Sequence, residues 1–362
     1  LEVVPFLHPC AKRMIECSSK PNDGCLMSFY VGRSDAVCIG TSGKSVASMV
    51  VEGTRLTPDQ LRGALGSDLV LVPSRFCWSA ARASGVPVSK LALCSYPLGE
   101  HWEPGACGKG DGVFRFLYMN TWYERKGVDI LLSAWAKTFR RDEPVELVIK
   151  SYREPGRRAP LAQCVQDTAQ ALGLRLDLAA PIRVIDEVVP YVRMREFMLE
   201  HDAFVSPHRS EGFGMNIWYA MAIGLPTIAT MHGGNTDFCR ADTCRPIAAS
   251  AWTVPSRSEL DIFPHLNGIT WADVSPDAVG SRMRECYEGK AVNVELAAHA
   301  SKVIRSTYSD REILGQFMSG IRALDPNLFT GLVSRLDENK KIVQESPRFC
   351  SCDAPIRLPE IV

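Results

Sequence analysis

The chain has 362 residues, 41 basic and 41 acidic side chains, and 46% hydrophobic content. At roughly 150 residues per domain this is about two domains, and zero formal net charge argues against a general nucleic-acid binder, which carries a basic excess. A charged fraction of 23% also excludes the disordered acidic and basic classes. Residues 1–26 show no clear periodicity and form an irregular N-terminal segment. From Met27 to about 104 the pattern turns α/β-like: Leu69–Pro73 reads as a buried strand, and Ser74 stands where it can cap a helix running to Ala83. Glycines crowd residues 105–112, which read as an interdomain linker.

Strand and helix alternate regularly from Val113. Val113–Met119 reads as a strand, and Lys126–Phe139 as a helix with Val128, Leu131, Leu132, Trp135 and Phe139 along one side. Further strands are expected at Val145–Ile149, Ile182–Ile185, Ala203–Ser206 and Pro226–Ala229. Helices are expected at Leu161–Leu172, Met194–Leu199, Met215–Ile223, Pro276–Tyr287 and Val294–Arg305. Short buried strands alternating with amphipathic helices predict an α/β fold with a doubly wound, mostly parallel sheet over 113–325. Residues 326–362 read as a peripheral tail.

The 13 cysteines are irregularly spaced, and neither Cys239 with Cys244 nor Cys350 with Cys352 makes a four-ligand zinc framework. Most read as small buried hydrophobes of a reducing compartment. No signal peptide is visible in a chain that opens on Leu1 and need not include its natural start. The expected location is the cytoplasm or the cytosolic face of a membrane. Gly212–Thr236 is long and uncharged, but its glycines and Pro226 divide it into helix, strand and turn, so no transmembrane segment is expected. Gly40–Ser45 imitates a phosphate loop, yet Cys38 stands where that motif needs glycine.

The strongest chemical signal is Ser206–Gly214. A strand ending near Ser206 delivers Glu211, Gly212, Phe213 and Gly214 to the carboxyl edge of the sheet, where open α/β sheets bind ligands. The helix beginning near Gly214 and Met215 offers unpaired N–H groups to a phosphate, although Glu211 as a simple cap and the glycines as a tight turn read equally simply. Gly233 and Gly234 follow the next strand and permit an unusual backbone path near a sugar or phosphate. His232 beside them is as much a turn residue as a ligand contact. Arg125 and Lys126 place two cations at a helix start, an unfavourable arrangement unless an anion or carboxylate compensates.

Three stretches together resemble the retaining glycosyltransferase family 4, which has the GT-B fold: Phe116–Trp135, Asp202–Pro226, and Leu71–Phe76 with Gly85, Val86, Tyr96–Gly99 and Trp102–Pro104. The resemblance spans about Val50–Leu324. It implies a Rossmann-like donor-binding domain over 113–325, facing an acceptor-side α/β domain that is incomplete or divergent. It also implies a nucleotide-diphospho-sugar donor, an acceptor of unknown class (glycan, lipid or protein), retention of anomeric configuration, and neither metal nor cofactor. Lys126 then matches the lysine that contacts the donor diphosphate, and Glu211 the first glutamate of a Glu-x7-Glu motif that contacts the transferred sugar. Gly212, Phe213, Gly214 and Met215 match the loop around sugar and phosphate.

The chain departs from that pattern in three places. Tyr219 replaces the second glutamate, which holds the ribose, and a phenol offers one hydrogen where a carboxylate accepts two. Thr121 replaces the arginine five residues before the lysine. The region before Val113 is short, and neither the family's first glycine-rich loop nor its acceptor-side histidine is identifiable; His8 and His101 lie in other contexts. These departures keep a second expectation open, a catalytically inactive nucleotide-sugar-binding or scaffold protein.

Overall fold

A computed structural model describes residues 27–31, 43–151 and 159–334. The irregular segment 1–26, part of the Gly40–Ser45 stretch and the tail beyond 334 lie outside the described residues. The first unit is a parallel sheet in the order β1 (Met27–Val31), β2 (Lys44–Ser48), β3 (Leu69–Val72) and β4 (Leu91–Leu93). Its helices α1 (Pro58–Gly66) and α2 (Arg75–Ala83) both start on side-chain caps: Thr57 with Gln60 forms a capping box, and Ser74 accepts from the Cys77 amide. Val70 and Val72 point to the face shared with Ala80 and Ala81 of α2, while Leu69 and Leu71 point to the other.

The second unit is a six-stranded parallel sheet. Its strands are β5 (Phe114–Met119), β6 (Val145–Lys150), β7 (Ile182–Ile185), β8 (Ala203–Ser206), β9 (Thr227–Thr230) and β10 (Arg245–Ile247), in the spatial order β10-β9-β8-β5-β6-β7. That is the 3-2-1-4-5-6 order of a doubly wound sheet, and it reverses between β5 and β8. Alternation along β5 sends Phe114, Phe116 and Tyr118 into one core and Leu117 and Met119 into the other, so both faces are buried. The flanking helices are α3 (Val128–Thr138), α4 (Leu161–Ala171), α5 (Tyr191–Leu199) and α6 (Met215–Ala222), then α7 (Arg257–Ile262), α8 (Pro276–Glu288) and α9 (Lys290–Thr307).

Several boundaries differ from the periodicity reading. Lys126 lies outside α3, in a single 3₁₀ turn over Glu124–Lys126, because Gly127 adopts φ +71° and breaks the path between turn and helix. A small antiparallel hairpin, β11 (Ala251–Thr253) with β12 (Trp271–Asp273), follows the second sheet. Helix α10 (Asp310–Leu324), expected within the second unit, and the helical residues 326–334, expected in the tail, pack against the first sheet instead. There Ile321 and Leu328 meet Val46, Leu69 and Leu71. The glycine-rich linker is anchored to the second unit by Gly105 N to Ile223 O (3.2 Å) and Gly108 N to Leu199 O (2.9 Å).

Candidate functional site

The reversal of strand order opens a crevice between the carboxyl ends of β5 and β8, and the two segments leaving those strands meet there. The turn after β5 carries Arg125 and Lys126; the loop after β8 carries His208 to Glu211. Lys126 Nζ donates to Glu211 Oε1 at 2.5 Å, and Arg125 lies 3.6 Å from Glu211 Oε2. Glu211 is 6% exposed. Burial alone would raise its carboxyl, but Lys126, then Arg125 and His208, outweigh that and hold it down at about 2. The carboxylate is therefore ionised and paired at neutral pH.

His208 is wholly buried behind it. Its Nε2 faces the His232 carbonyl (3.0 Å) and Asn235 Oδ1 (3.1 Å), and its Nδ1 faces the Ser206 hydroxyl and carbonyl, each at 3.1 Å, so both ring nitrogens are held. Burial pushes this imidazole below its ordinary range. Gly233 and Gly234 are not among the residues lining the cavity in front of Glu211; they let the loop after β9 press against the Glu211 loop. A Cβ on Gly233 would meet the Glu211 carbonyl at 2.4 Å, and one on Gly234 the Gly212 carbonyl at 1.9 Å.

In front of the pair lies a cavity of about 240 Å³ lined by Lys126, Glu211, Gly212, Phe213, Gly214 and Met215 of the expected set. Gly214 opens α6 without any side-chain cap bond, leaving that helix's first N–H groups beside the cavity. Arg125 stands behind the wall, bonded to Glu52 (2.7 Å) and to the Ser210 carbonyl (2.7 Å). Tyr219 is placed elsewhere: its ring stacks on Trp102 at 3.7 Å and is not part of the lining.

Sequence reasoning did not single out Val50, Glu52, Tyr96, Asn120, Asn216 or Ile217, which complete the lining. Asn120 directly follows β5, a position the sheet-edge rule could have flagged. Tyr96 belongs to a stretch that carried the resemblance, whereas Glu52 has no local signal. Val50, Glu52 and Tyr96 come from the first unit, which is bound to the loop by Ser74 Oγ donating to the Gly212 carbonyl at 2.6 Å. Trp271 Nε1 donates to the Glu52 carbonyl at 3.1 Å. Among the described residues no group of three or more His, Cys, Asp and Glu is placed to hold a metal ion, and no helix is long and apolar enough to cross a membrane.

Comparison with known proteins agrees with this layout. The family model of glycosyl transferases group 1 matches residues 114–259, the segment from β5 to α7. HepE of Anabaena, crystallised with UDP and glucose, is similar over 78% of this chain and 72% of its own, with a TM-score of 0.60 and 13% identity. Sucrose-phosphate synthase of Thermosynechococcus elongatus is similar over 78% of this chain and 68% of its own, with a TM-score of 0.56 and 14% identity. The fold is GT-B. In sequence, mannosylfructose-phosphate synthase of Agrobacterium fabrum is 29% identical over 111 residues, 30% of this chain. That match spans 23% of the synthase's own length.

Proposed function

We propose that this chain is a retaining glycosyltransferase of the family 4 type, moving a sugar from a nucleotide-diphospho-sugar to an acceptor. The observation that carries the reading is the Lys126–Glu211 pair at the point where the strand order reverses, beside the uncapped start of α6. A cation and a helix N-terminus together make an anion site, and the carboxylate occupies the cation until a diphosphate arrives. The second unit holds the donor, and the acceptor enters from the side of Val50, Glu52 and Tyr96. In the transfer, the bond from sugar C1 to the diphosphate oxygen breaks and its electron pair goes to that oxygen, where Lys126 neutralises the charge. The acceptor oxygen bonds C1 and its proton passes to the departing phosphate. Glu211 accepts from the sugar's hydroxyls and fixes its orientation, with Gly212 to Met215 closing around sugar and phosphate. The site of action we propose is the cytosol, where buried thiols such as Cys77 and Cys286 stay reduced.

A second reading, binding without turnover, is favoured by Tyr219. It stands where the family holds the ribose with a carboxylate, and it faces Trp102. Calorimetry with UDP, GDP and ADP, followed by product analysis with the matching nucleotide-sugars, separates the two. The expected result is binding of at least one nucleotide and transfer or hydrolysis of its sugar. Glu211→Ala should then lower kcat by about 100-fold or more while leaving the circular dichroism spectrum unchanged. Turnover untouched in that variant removes the assigned role. Binding without turnover on any acceptor class supports the second reading, and no binding of any nucleotide ends both.

A further inference from the structure

Arg209 stands two residues before Glu211 and is 7% exposed. Its guanidinium makes a bidentate pair with Asp129 in the first turn of α3, Nη1 to Oδ1 at 2.8 Å and Nη2 to Oδ2 at 2.7 Å. Nη1 also donates to the Glu124 carbonyl at 2.7 Å, and Nε faces Asp273 at the end of β12 at 3.2 Å. Its backbone is held as firmly: Arg209 N donates to the Arg125 carbonyl at 2.8 Å, and its own carbonyl accepts from Ala272 N at 3.1 Å.

The arrangement is reciprocal. Arg209, in the loop that carries Glu211, grips a carbonyl in the turn that carries Lys126. Arg125, in that turn, grips the Ser210 carbonyl next to Glu211 at 2.7 Å. We infer that Arg209 is a positioning residue: with Arg125 it forms a two-way clasp that sets the separation of the Lys126 ammonium from the Glu211 carboxylate. Only a planar, five-donor guanidinium can meet a carboxylate edge-on and still bond a main-chain carbonyl, so lysine is not an equivalent here. Arg209 does not line the cavity, and it acts through the two segments it joins.

The kinetic part of this inference rests on the proposed transfer reaction; the structural part does not. The groups facing Glu211 are Lys126 and Arg125 from the turn, His208 from its own loop and Tyr118 from β5, with Glu52 of the first unit on the far side of Arg125. The test compares wild type with Arg209→Met and Asp129→Asn, following the Glu211 carboxyl by carbon-13 NMR across pH, assigned by its loss in Glu211→Gln. Loosening the clasp should move the Glu211 midpoint up from about 2 by more than one pH unit in Arg209→Met and by less in Asp129→Asn. With a turned-over donor, kcat should fall about 100-fold in Arg209→Met while nucleotide affinity changes less than about threefold.

A purely structural role would lower the melting temperature and leave the midpoint and the kcat per folded molecule in place. That result, in variants that fold, overturns the inference. If Arg209→Met does not fold, Asp129→Asn decides, since its side chain is 33% exposed. If no donor is turned over, the reaction assignment fails and the NMR midpoint still decides the clasp.

Discussion

At Glu211 two consequences of burial oppose each other. Desolvation favours the neutral acid, while Lys126 at 2.5 Å and Arg125 at 3.6 Å favour the carboxylate and win. A carboxyl held at about 2 against an ordinary 4.5 contributes stability that is fully present above pH 4.5 and is lost as pH falls towards 2. The size is on the order of 3 kcal/mol. Urea unfolding of wild type and Glu211→Gln should therefore differ most at pH 7 and converge on acidification; a pH-independent gap refutes the pairing. Gly127 is a second single-residue control point, since its φ is +71° and an added Cβ would lie 1.9 Å from the Pro207 carbonyl. Gly127→Ala forces turn and loop apart and should cost about 2–4 kcal/mol in unfolding free energy. Glu211 was readable from its place after a buried strand, and the adjacent cations of Arg125 and Lys126 implied a compensating anion or carboxylate. Arg209 was not readable, because its partners Asp129 and Asp273 lie 80 residues before it and 64 after it.

Among elements, the strands β5 to β9 and most helices of the second unit followed closely from hydrophobic periodicity because both faces of that sheet's centre are covered, whereas the three-residue β10 and the six-residue α7 were not read. Ala203–Ser206 is the clearest case, four fully buried residues between Asp202 and Pro207. The first unit was harder to read. Its strand β2 mixes Lys44, Ser45 and Ser48 with only two apolar residues, and one apolar face of its sheet is completed by α10 and 326–334, contributed from more than 200 residues downstream. Helix α10 carries an ordinary amphipathic pattern that does not say which sheet it will cover. Ile321, with no exposed surface, is its anchor on Leu69 and Leu71. Ile321→Ala should destabilise the protein by about 2–5 kcal/mol. Denaturant titration followed by far-ultraviolet circular dichroism reads this, and an unchanged midpoint contradicts the packing assigned to α10.

On the scale of the whole molecule, the two units meet along a line of specific contacts. Ser74 holds the Gly212 carbonyl, Glu52 pairs with Arg125, and the Arg75 amide donates to Asp237 at 2.9 Å. Sequence patterns locate each unit but not this line, since every bond in it joins segments more than 70 residues apart. The line has a geometric meaning. Beside it lies the space of about 240 Å³ that takes Val50, Glu52 and Tyr96 from one unit and Lys126 and Glu211 from the other. Any shift of one unit against the other would change the width of that space and stretch the Ser74–Gly212 and Glu52–Arg125 contacts as it does. The bore of the cleft is thus fixed by a serine hydroxyl and an ion pair that bridge the two units.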